Sequence, residues 1–594
     1  MRNNVWKLLV VLVVLTMLTA GLAACGPTPE PQVVEKVVKE TVIVAVTPET
    51  VEKVVTEVVE KEVEVEKVVT ATPEPTRKVV TAAWTQEPDG LNPLYSTMWY
   101  ASALWDLYLG AAWQYDDQNM PYPHLLTEIP STENGGVSED GLVFTMHLRD
   151  DIVWSDGTPL TADDFVFTYE MIVNPANTVG SVYPYDYVTS YEAPDERTVV
   201  MTLSEAIAPW QSLFGSHPLP KHVLQPVFEA EGSIDEAEWN RAPTVGSGPF
   251  IFAEWESGSF LRFVKNENYW LEEPKLDEIY FQFVPDDASQ TAALIAGDAD
   301  LAVEPPYPDV PILRAAGLDF VVESSGYAEG WFINWGRCDA SSAIRDTKVR
   351  QAIAMAIDRN AIVGDLMMGL TDRTETMWDP LKAGGWVSPD IEPWEYDPEA
   401  AKQLLEDAGW VDSDGDGIRE DAEGNKLTLT HGTTIRDIRQ DAQALYQQQL
   451  REVGIDLQIL SYDSDLYFAS YSDGSPCALG ELDIMEWCDS TAIPDPDVDY
   501  WLCSQIPTDD NPWGYNYYGC DEFLDELFQR QLITISHEER VKIFQQITKY
   551  MHDQVYYLGL WDAPDIWVVG PRLTNVKFSG ATPFYNIAEW DVEE

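Results

Sequence analysis

From about Val79 onward, apolar and polar positions alternate in two rhythms. Short β-like apolar runs are separated by stretches in which apolar residues recur every three or four positions, as on one face of a helix. Several of these stretches carry their own start and stop signals. Thr161-Ala-Asp-Asp164 has the form of a capping box and is followed by Phe165, Tyr169 and Ile172 on one face. Asp346 is placed to cap a helix that buries Val349, Ile353 and Ile357. Asp397 caps another, with Pro398 at its first position, Leu404, Leu405 and Ala408 inward, and Gly409 at its end. Val541, Phe544, Ile547 and Met551 form a further stripe. The alternation predicts α/β lobes, and the stripes read as core packing that asks for no cofactor.

The first 78 residues have a different pattern. Arg2 and Lys7 precede a run from Leu8 to Leu18 that is apolar apart from Thr16, and small residues come next at Ala20, Gly21, Ala23 and Ala24. The run is short for a bilayer core of ~30 Å. Leu22-Ala23-Ala24-Cys25 resembles the bacterial lipobox, in which the signal is cut before a cysteine whose thiol is then acylated. That resemblance implies a signal peptide over 1–24, a lipid on Cys25, and an extracytoplasmic protein anchored to the cell membrane. Residues 25–78 form a Val/Glu/Lys-rich tract opened by Pro27, Pro29 and Pro31, closed by Thr72-Pro73-Glu74-Pro75-Thr76, and free of aromatic residues. Its composition is that of a solvated spacer. Val51, Val55, Val58, Val65 and Val69, on a 4-3 spacing broken by Glu62, leave a short coiled coil open as well.

Charge narrows the function. The 594 residues carry 36 basic and 101 acidic side chains, a net charge of −65. Such a surface repels phosphate backbones and anionic headgroups, so nucleic acid is excluded as a partner and membrane contact is left to the lipid. Beyond Cys25 there are five cysteines, Cys338, Cys477, Cys488, Cys503 and Cys520, with no CxxC spacing and only scattered histidines. The compartment favours disulfides over a zinc cluster.

Asp412-Ser-Asp-Gly-Asp-Gly-Ile-Arg-Glu-Asp-Ala-Glu423 matches the twelve-residue calcium loop at its key positions. Asp412, Asp414 and Asp416 offer oxygens at alternate positions, Gly417 permits the turn, Ile418 offers its carbonyl and Glu423 can chelate from the last position. The context departs from the usual one, since the strand-like Leu427-Thr-Leu-Thr430 comes where a second helix would stand. No cofactor is required, and a structural calcium ion that stiffens the lobe is the one the loop suggests.

Four further segments occur together. They are Glu87-Pro-Asp-Gly-Leu-Asn-Pro93, Trp154-Ser-Asp-Gly-Thr-Pro-Leu-Thr-Ala-Asp-Asp-Phe165, Gly246-Ser-Gly-Pro-Phe250 leading to Trp255, Gly258 and Asn266-Glu-Asn-Tyr-Trp270, and Asp346-Thr-Lys-Val-Arg-Gln-Ala-Ile353 continuing to Ala356-Ile-Asp-Arg359. In this order they resemble family 5 of the bacterial extracellular solute-binding proteins, which serve ABC importers of peptides, dipeptides or nickel. The resemblance runs from Val79 to the C-terminus. It implies an α/β, two-lobed periplasmic-binding-protein-like fold with an additional third subdomain. Lobe I would take about 79–125, 241–325 and 558–594, the inserted subdomain about 126–240, and lobe II about 326–557. Two crossing strands would form the hinge, and a small polar solute would be trapped between the lobes as they close.

The resemblance also suggests site residues. Cys503 and Cys520, 17 positions apart around a loop ending in Asn516-Tyr-Tyr-Gly-Cys520, look like the loop disulfide of dipeptide-binding members. Cys477 can pair with Cys488, or Cys488 with Cys338 as in some peptide-binding relatives; both remain open. Peptide-binding relatives use a Trp-x-x-Asp carboxylate for the ligand's ammonium group. Here the stretch is Trp487-Cys-Asp489-Ser490, with the acid one place early. Arg436 and Arg439 lie near a position where relatives hold a peptide carboxylate, and Tyr95, Trp99 and Tyr100 can line the cleft. Twenty-two Trp residues suit oligosaccharide stacking as well as peptide side chains.

The expectation is a monomeric, lipid-anchored receptor that delivers a peptide-like or other small polar solute to ABC permease subunits. The competing reading is a secreted hydrolase of peptides or oligosaccharides. The chain has no GxSxG elbow, no HExxH and no phosphate-binding glycine pattern, and His537-Glu538 lacks a second histidine. An adhesion or stalk protein finds support only in the Val/Glu/Lys tract.

Overall fold

The computed structural model describes residues 77–594 except 97, 216, 285, 338–342, 491–494, 497–500 and 594. The signal, Cys25, nearly all of the spacer, and Cys338 lie outside the described residues. All of the described residues belong to one compact unit that begins at Pro75.

Two mixed sheets organise this unit. The first has seven strands: β1 (Val79–Trp84), β7 (Phe250–Glu256), β8 (Phe260–Lys265), β9 (Glu278–Phe283), β10 (Leu301–Val303), β11 (Asp319–Glu323) and β17 (Asp565–Val569). Their order is β11-β17-β10-β1-β9-β8-β7. β1 runs parallel to β9 and β10, while β17 runs antiparallel between β10 and β11. The second sheet has the order β14-β13-β15-β12-β16, from β12 (Tyr327–Ile333), β13 (Thr428–Thr434), β14 (Asp456–Tyr462), β15 (Ile484–Ser490) and β16 (Tyr557–Asp562).

A third sheet, β4-β6-β5, comes from β4 (Val143–His147), β5 (Val188–Asp195) and β6 (Thr198–Leu203), and packs on the helix Ala162–Val173. Two strand pairs complete the set, β2 (Trp113–Tyr115) with β3 (Pro121–Pro123) and β18 (Leu573–Thr574) with β19 (Asp591–Val592).

The helices begin where local chemistry places them. Asp164 accepts a hydrogen bond from the Thr161 backbone N–H at 2.9 Å. Asp346 accepts from Lys348 at 2.9 Å, and Asp397 accepts from Ala400 at 2.9 Å. The stripe Val349, Ile353 and Ile357 is buried, as are Phe544, Ile547 and Met551 on the helix His537–Gln554.

The recurring sequence segments are joints in this fold. Glu87 holds the β7–β8 turn, accepting from the Trp255 indole at 2.7 Å and the Gly258 N–H at 2.8 Å. Gly246 lies so close to the Tyr108 carbonyl that a Cβ there would stand 2.1 Å from its oxygen. Backbone approach, not a turn, makes glycine necessary at that position.

The chain passes between the two large sheets twice, from β11 to β12 and back from β16 to β17. The crossings lie side by side. Ala563 N–H donates to the Tyr327 carbonyl at 3.0 Å, and the Ser325 hydroxyl donates to the Ala563 carbonyl at 2.8 Å.

Candidate functional site

Strand direction decides what faces the crossings. β1, β10 and β11 all end at the edge where β17 begins, so Thr85, Glu304, Glu323 and Asp565 share one edge of the first sheet. In the second sheet, Asp489 and Asp562 both pair with Ala328 near the start of β12, and β13 runs parallel to β15 and ends just before Arg436. The parallel-strand ends of one sheet thus face the equivalent edge of the other, the usual position for a binding crevice in an α/β protein.

The edge of the first sheet is aromatic and acidic. Trp99 packs on Trp84 and Trp567 at ring separations of 6.2 and 5.9 Å. Its side chain also hydrogen-bonds to Asp565. The Tyr100 hydroxyl meets that of Thr85 at 3.0 Å. Tyr95 is turned elsewhere, since its hydroxyl donates to Asp235 at 2.8 Å. Glu304 comes directly after β10 with a φ of +53°, a left-handed conformation that few non-glycine residues adopt. Its carboxyl is pushed up by surrounding protein and drawn down by the charge of Arg436.

On the second sheet the two predicted arginines separate. Arg439 is buried, and its guanidinium grips both oxygens of Glu329 at 2.7 and 2.9 Å. Arg436, at the start of the same helix, is exposed and faces Glu304, Tyr307, Glu329 and Cys488 by charge. Trp487 is buried and stacks on Phe332 at 3.9 Å. Asp489 is half-buried, with a carboxylate oxygen 3.3 Å from the Trp487 indole nitrogen that donates to it.

Beside the crossings lies a cavity of about 510 Å³. Asp117, Asn119 and Glu323 line it from the first sheet's side, Trp386 and His537 from the second's, and Gln211 from the short helix Trp210–Leu213. That volume suits a small solute. Residues near Gln211 in sequence also meet distant parts of the chain. Ser212 Oγ donates to the Asp495 carbonyl at 3.3 Å, and the Ala208 N–H donates to the Leu532 carbonyl at 3.2 Å.

Two other predicted sites lie away from this cleft. Cys503 and Cys520 are joined by a disulfide, and the loop it closes is held by Asn516, which donates to the carbonyls of Trp501, Leu502 and Gly519. Cys477 and Cys488 are free thiols and do not pair with each other. In the acidic loop, oxygens of Asp412, Asp414, Asp416 and Glu420 lie within 4.8 Å of one another. Glu423 is exposed and outside this group, and Glu420 stands in its place. The cation at the centre is the Lys426 ammonium, 2.9 Å from Asp414 and 3.0 Å from Asp416, with the Ile418 carbonyl at 3.5 Å.

Residues 120–508 match the family model described as bacterial extracellular solute-binding proteins, family 5. The chain belongs to this family. Among similar curated proteins, the oligopeptide-binding protein AppA of Bacillus subtilis is 27% identical over 521 residues, covering 85% of this chain and 90% of AppA. The nickel-binding periplasmic protein of Escherichia coli is 24% identical over 450 residues, covering 74% of this chain and 82% of that one. The structure of Bacillus subtilis AppA in complex with a nonapeptide superposes with a TM-score of 0.62 at 25% identity, covering 87% of this chain and 100% of the chain in that structure. This family 5 protein is therefore a mixed α/β solute-binding protein acting outside the cytoplasm. No helix among its described residues is long and apolar enough to cross a membrane.

Glu304, Glu323, Asp562 and Asp565 stand at the facing sheet edges, and sequence reasoning singled out none of them. Among 101 acidic side chains nothing local marks these four. The one available signal is Asp562-Ala-Pro-Asp565, a two-residue break between two apolar runs.

Proposed function

We propose that this protein is a lipid-anchored receptor that captures a small polar or peptide-like solute between its two large sheets and presents it to an ABC permease. The observation that carries this reading is the pair of sheet edges facing each other across two short, mutually hydrogen-bonded crossings beside a cavity of about 510 Å³. A ligand that touches both edges binds the closed form better than the open one, and that difference in affinity is all that closure requires. The lipobox-like Leu22-Ala-Ala-Cys25 supports attachment through a lipid on Cys25, and the spacer after it supplies reach. Similarity to proteins named for oligopeptides and for nickel supports a receptor while leaving several ligand classes open.

Native mass spectrometry of the freshly purified full-length protein tests this reading. A small solute that co-purifies, and whose removal opens the molecule in X-ray scattering, is the expected result. Turnover of the bound molecule to hydrolysis products overturns it, as does the absence of closure with every solute tried. Replacing Cys25 by Ser is expected to move the protein from the membrane fraction to the medium.

A further inference from the structure

The acidic residues at the crossings are arranged unlike those elsewhere in the fold. Glu304 comes directly after β10, Asp565 opens β17 and Glu323 ends β11, so three adjacent strands place three carboxylates along one sheet edge. Asp562 at the end of β16 adds a fourth from the second sheet. Glu323 and Asp565 are direct cross-strand partners, a pairing that like charges make unfavourable. Asp300 shows how this protein treats a structural acid in the same sheet: it is buried, and Arg572 grips it with a contact of 2.7 Å. Among the described residues, none of the four carboxylates at the crossings has an ion-pair partner. Asp565 is only 6% exposed, and one of its carboxylate oxygens has no hydrogen bond; the same is true of one oxygen of Asp562.

An arrangement of that kind costs stability unless something positive completes it. Among the described residues, the basic side chain that faces Glu304 by charge is Arg436. Trp99, Tyr100 and Tyr307 stand around the carboxylates, and aromatic faces beside carboxylates suit an organic cation. A single metal ion fits less well. Among the described residues, only the Asp412 loop brings three or more carboxylate oxygens within 4.8 Å of one another. Glu323 also opens into the cavity, so a group reaching the edge has room for the rest of its molecule.

We propose that the crossing end of the cleft is a cation subsite, in which Glu304, Glu323, Asp562 and Asp565 receive a protonated amine or guanidinium carried by the solute. The receptor then selects basic solutes. This rests on the receptor reading given above, and it assigns the solute's charge to residues other than Asp489. Burial, then the charges of Glu304, Glu323 and Asp562, push Asp565 up to about 8. Burial with the charges of Asp379 and Asp372 brings Asp562 to about 7, burial with that of Asp117 brings Glu323 to about 7, and Glu304 is raised by burial beside Asp287. A cation that binds there displaces protons from these acids to the buffer.

Calorimetric titration of the full-length protein in detergent at pH 7 tests the assignment, with trilysine, trialanine and triglutamate as probes in two buffers of different ionisation enthalpy. Trilysine is expected to bind at least about tenfold more tightly than trialanine, as charge-assisted contacts imply, with net proton release and with triglutamate weakest. In Asp565→Asn and Glu304→Gln, each checked for a native circular dichroism spectrum, that preference is expected to collapse to less than about threefold. Equal or tighter binding of trialanine overturns the cation subsite, as do binding without proton release and a preference that survives in both variants. In those cases solute still binds and the receptor reading stands. Failure of all three probes to bind overturns the assignment to basic peptides. Failure of every solute to close the molecule removes the receptor reading as well.

Discussion

Glu323 and Asp565 face each other as cross-strand partners of β11 and β17, at the point where the chain leaves one large sheet for the other. Two carboxylates in that relation cannot both ionise without cost. The consequences of this pair, and of the residues built around it, can be measured.

The first concerns pH. Burial, then the charges of Glu304, Glu323 and Asp562, push Asp565 up to about 8. Asp562 reaches about 7 through burial and the charges of Asp379 and Asp372, and Glu323 reaches about 7 through burial and the charge of Asp117. In the unfolded chain these groups titrate near ~4. The folded state therefore holds protons that the unfolded state has already lost. Stability contributed by the protonated forms is full below about pH 4 and is lost as pH rises toward 8. Thermal melts of the ligand-free protein are expected to fall between pH 5 and pH 8.5, and Asp565→Asn to flatten that slope. An unchanged slope in the variant would sink the argument.

Arg439 and Glu329 lead to a second prediction. Both are buried and joined by two hydrogen bonds of 2.7 and 2.9 Å. Removing one partner leaves a charge without compensation, so Arg439→Ala is expected to cost about 3–5 kcal/mol in denaturant unfolding. A paired apolar replacement at both positions is expected to recover most of that loss.

The Cys503–Cys520 disulfide closes a loop of 17 residues. Its reduction is expected to lower stability by about 3 kcal/mol, the chain-entropy value for a loop of that size. The check is the melting temperature with and without reductant, compared with a Cys503→Ser, Cys520→Ser double variant. A double variant as stable as the oxidised protein would assign the loop's order to Asn516 alone.

Gly246 tests the joints of the fold. An alanine Cβ there would stand 2.1 Å from the Tyr108 carbonyl oxygen, and backbone cannot move aside as a side chain can. Gly246→Ala is expected to destabilise by about 3 kcal/mol or more, read as a shifted unfolding midpoint. A loss under about 1 kcal/mol would mean that this segment yields easily.

What the sequence determined was mostly local. Asp346 and Asp397 cap their helices because a carboxylate next to free backbone N–H groups needs only neighbours two or three residues away. Buried stripes such as Phe544, Ile547 and Met551 result from helical period alone. The family segments were legible for a related reason, since Glu87 and Gly246 serve joints that few other residues can make.

Tertiary structure decided which charge meets which. Arg436 and Arg439 lie on one turn of one helix, yet Arg439 is buried on Glu329, 110 positions away, while Arg436 stays exposed at the cleft. Glu420, not Glu423, joins the acidic loop because Ile418, Arg419 and Glu420 turn inward there while Glu423 stays at the surface. Glu304, Glu323 and Asp565 become neighbours only through the strand order β11-β17-β10. Electrostatic partnership acts through space and leaves no periodic trace along the chain. In a protein with 101 acidic side chains, only the assembled sheets show which of the described ones meet at the crossings without an ion pair.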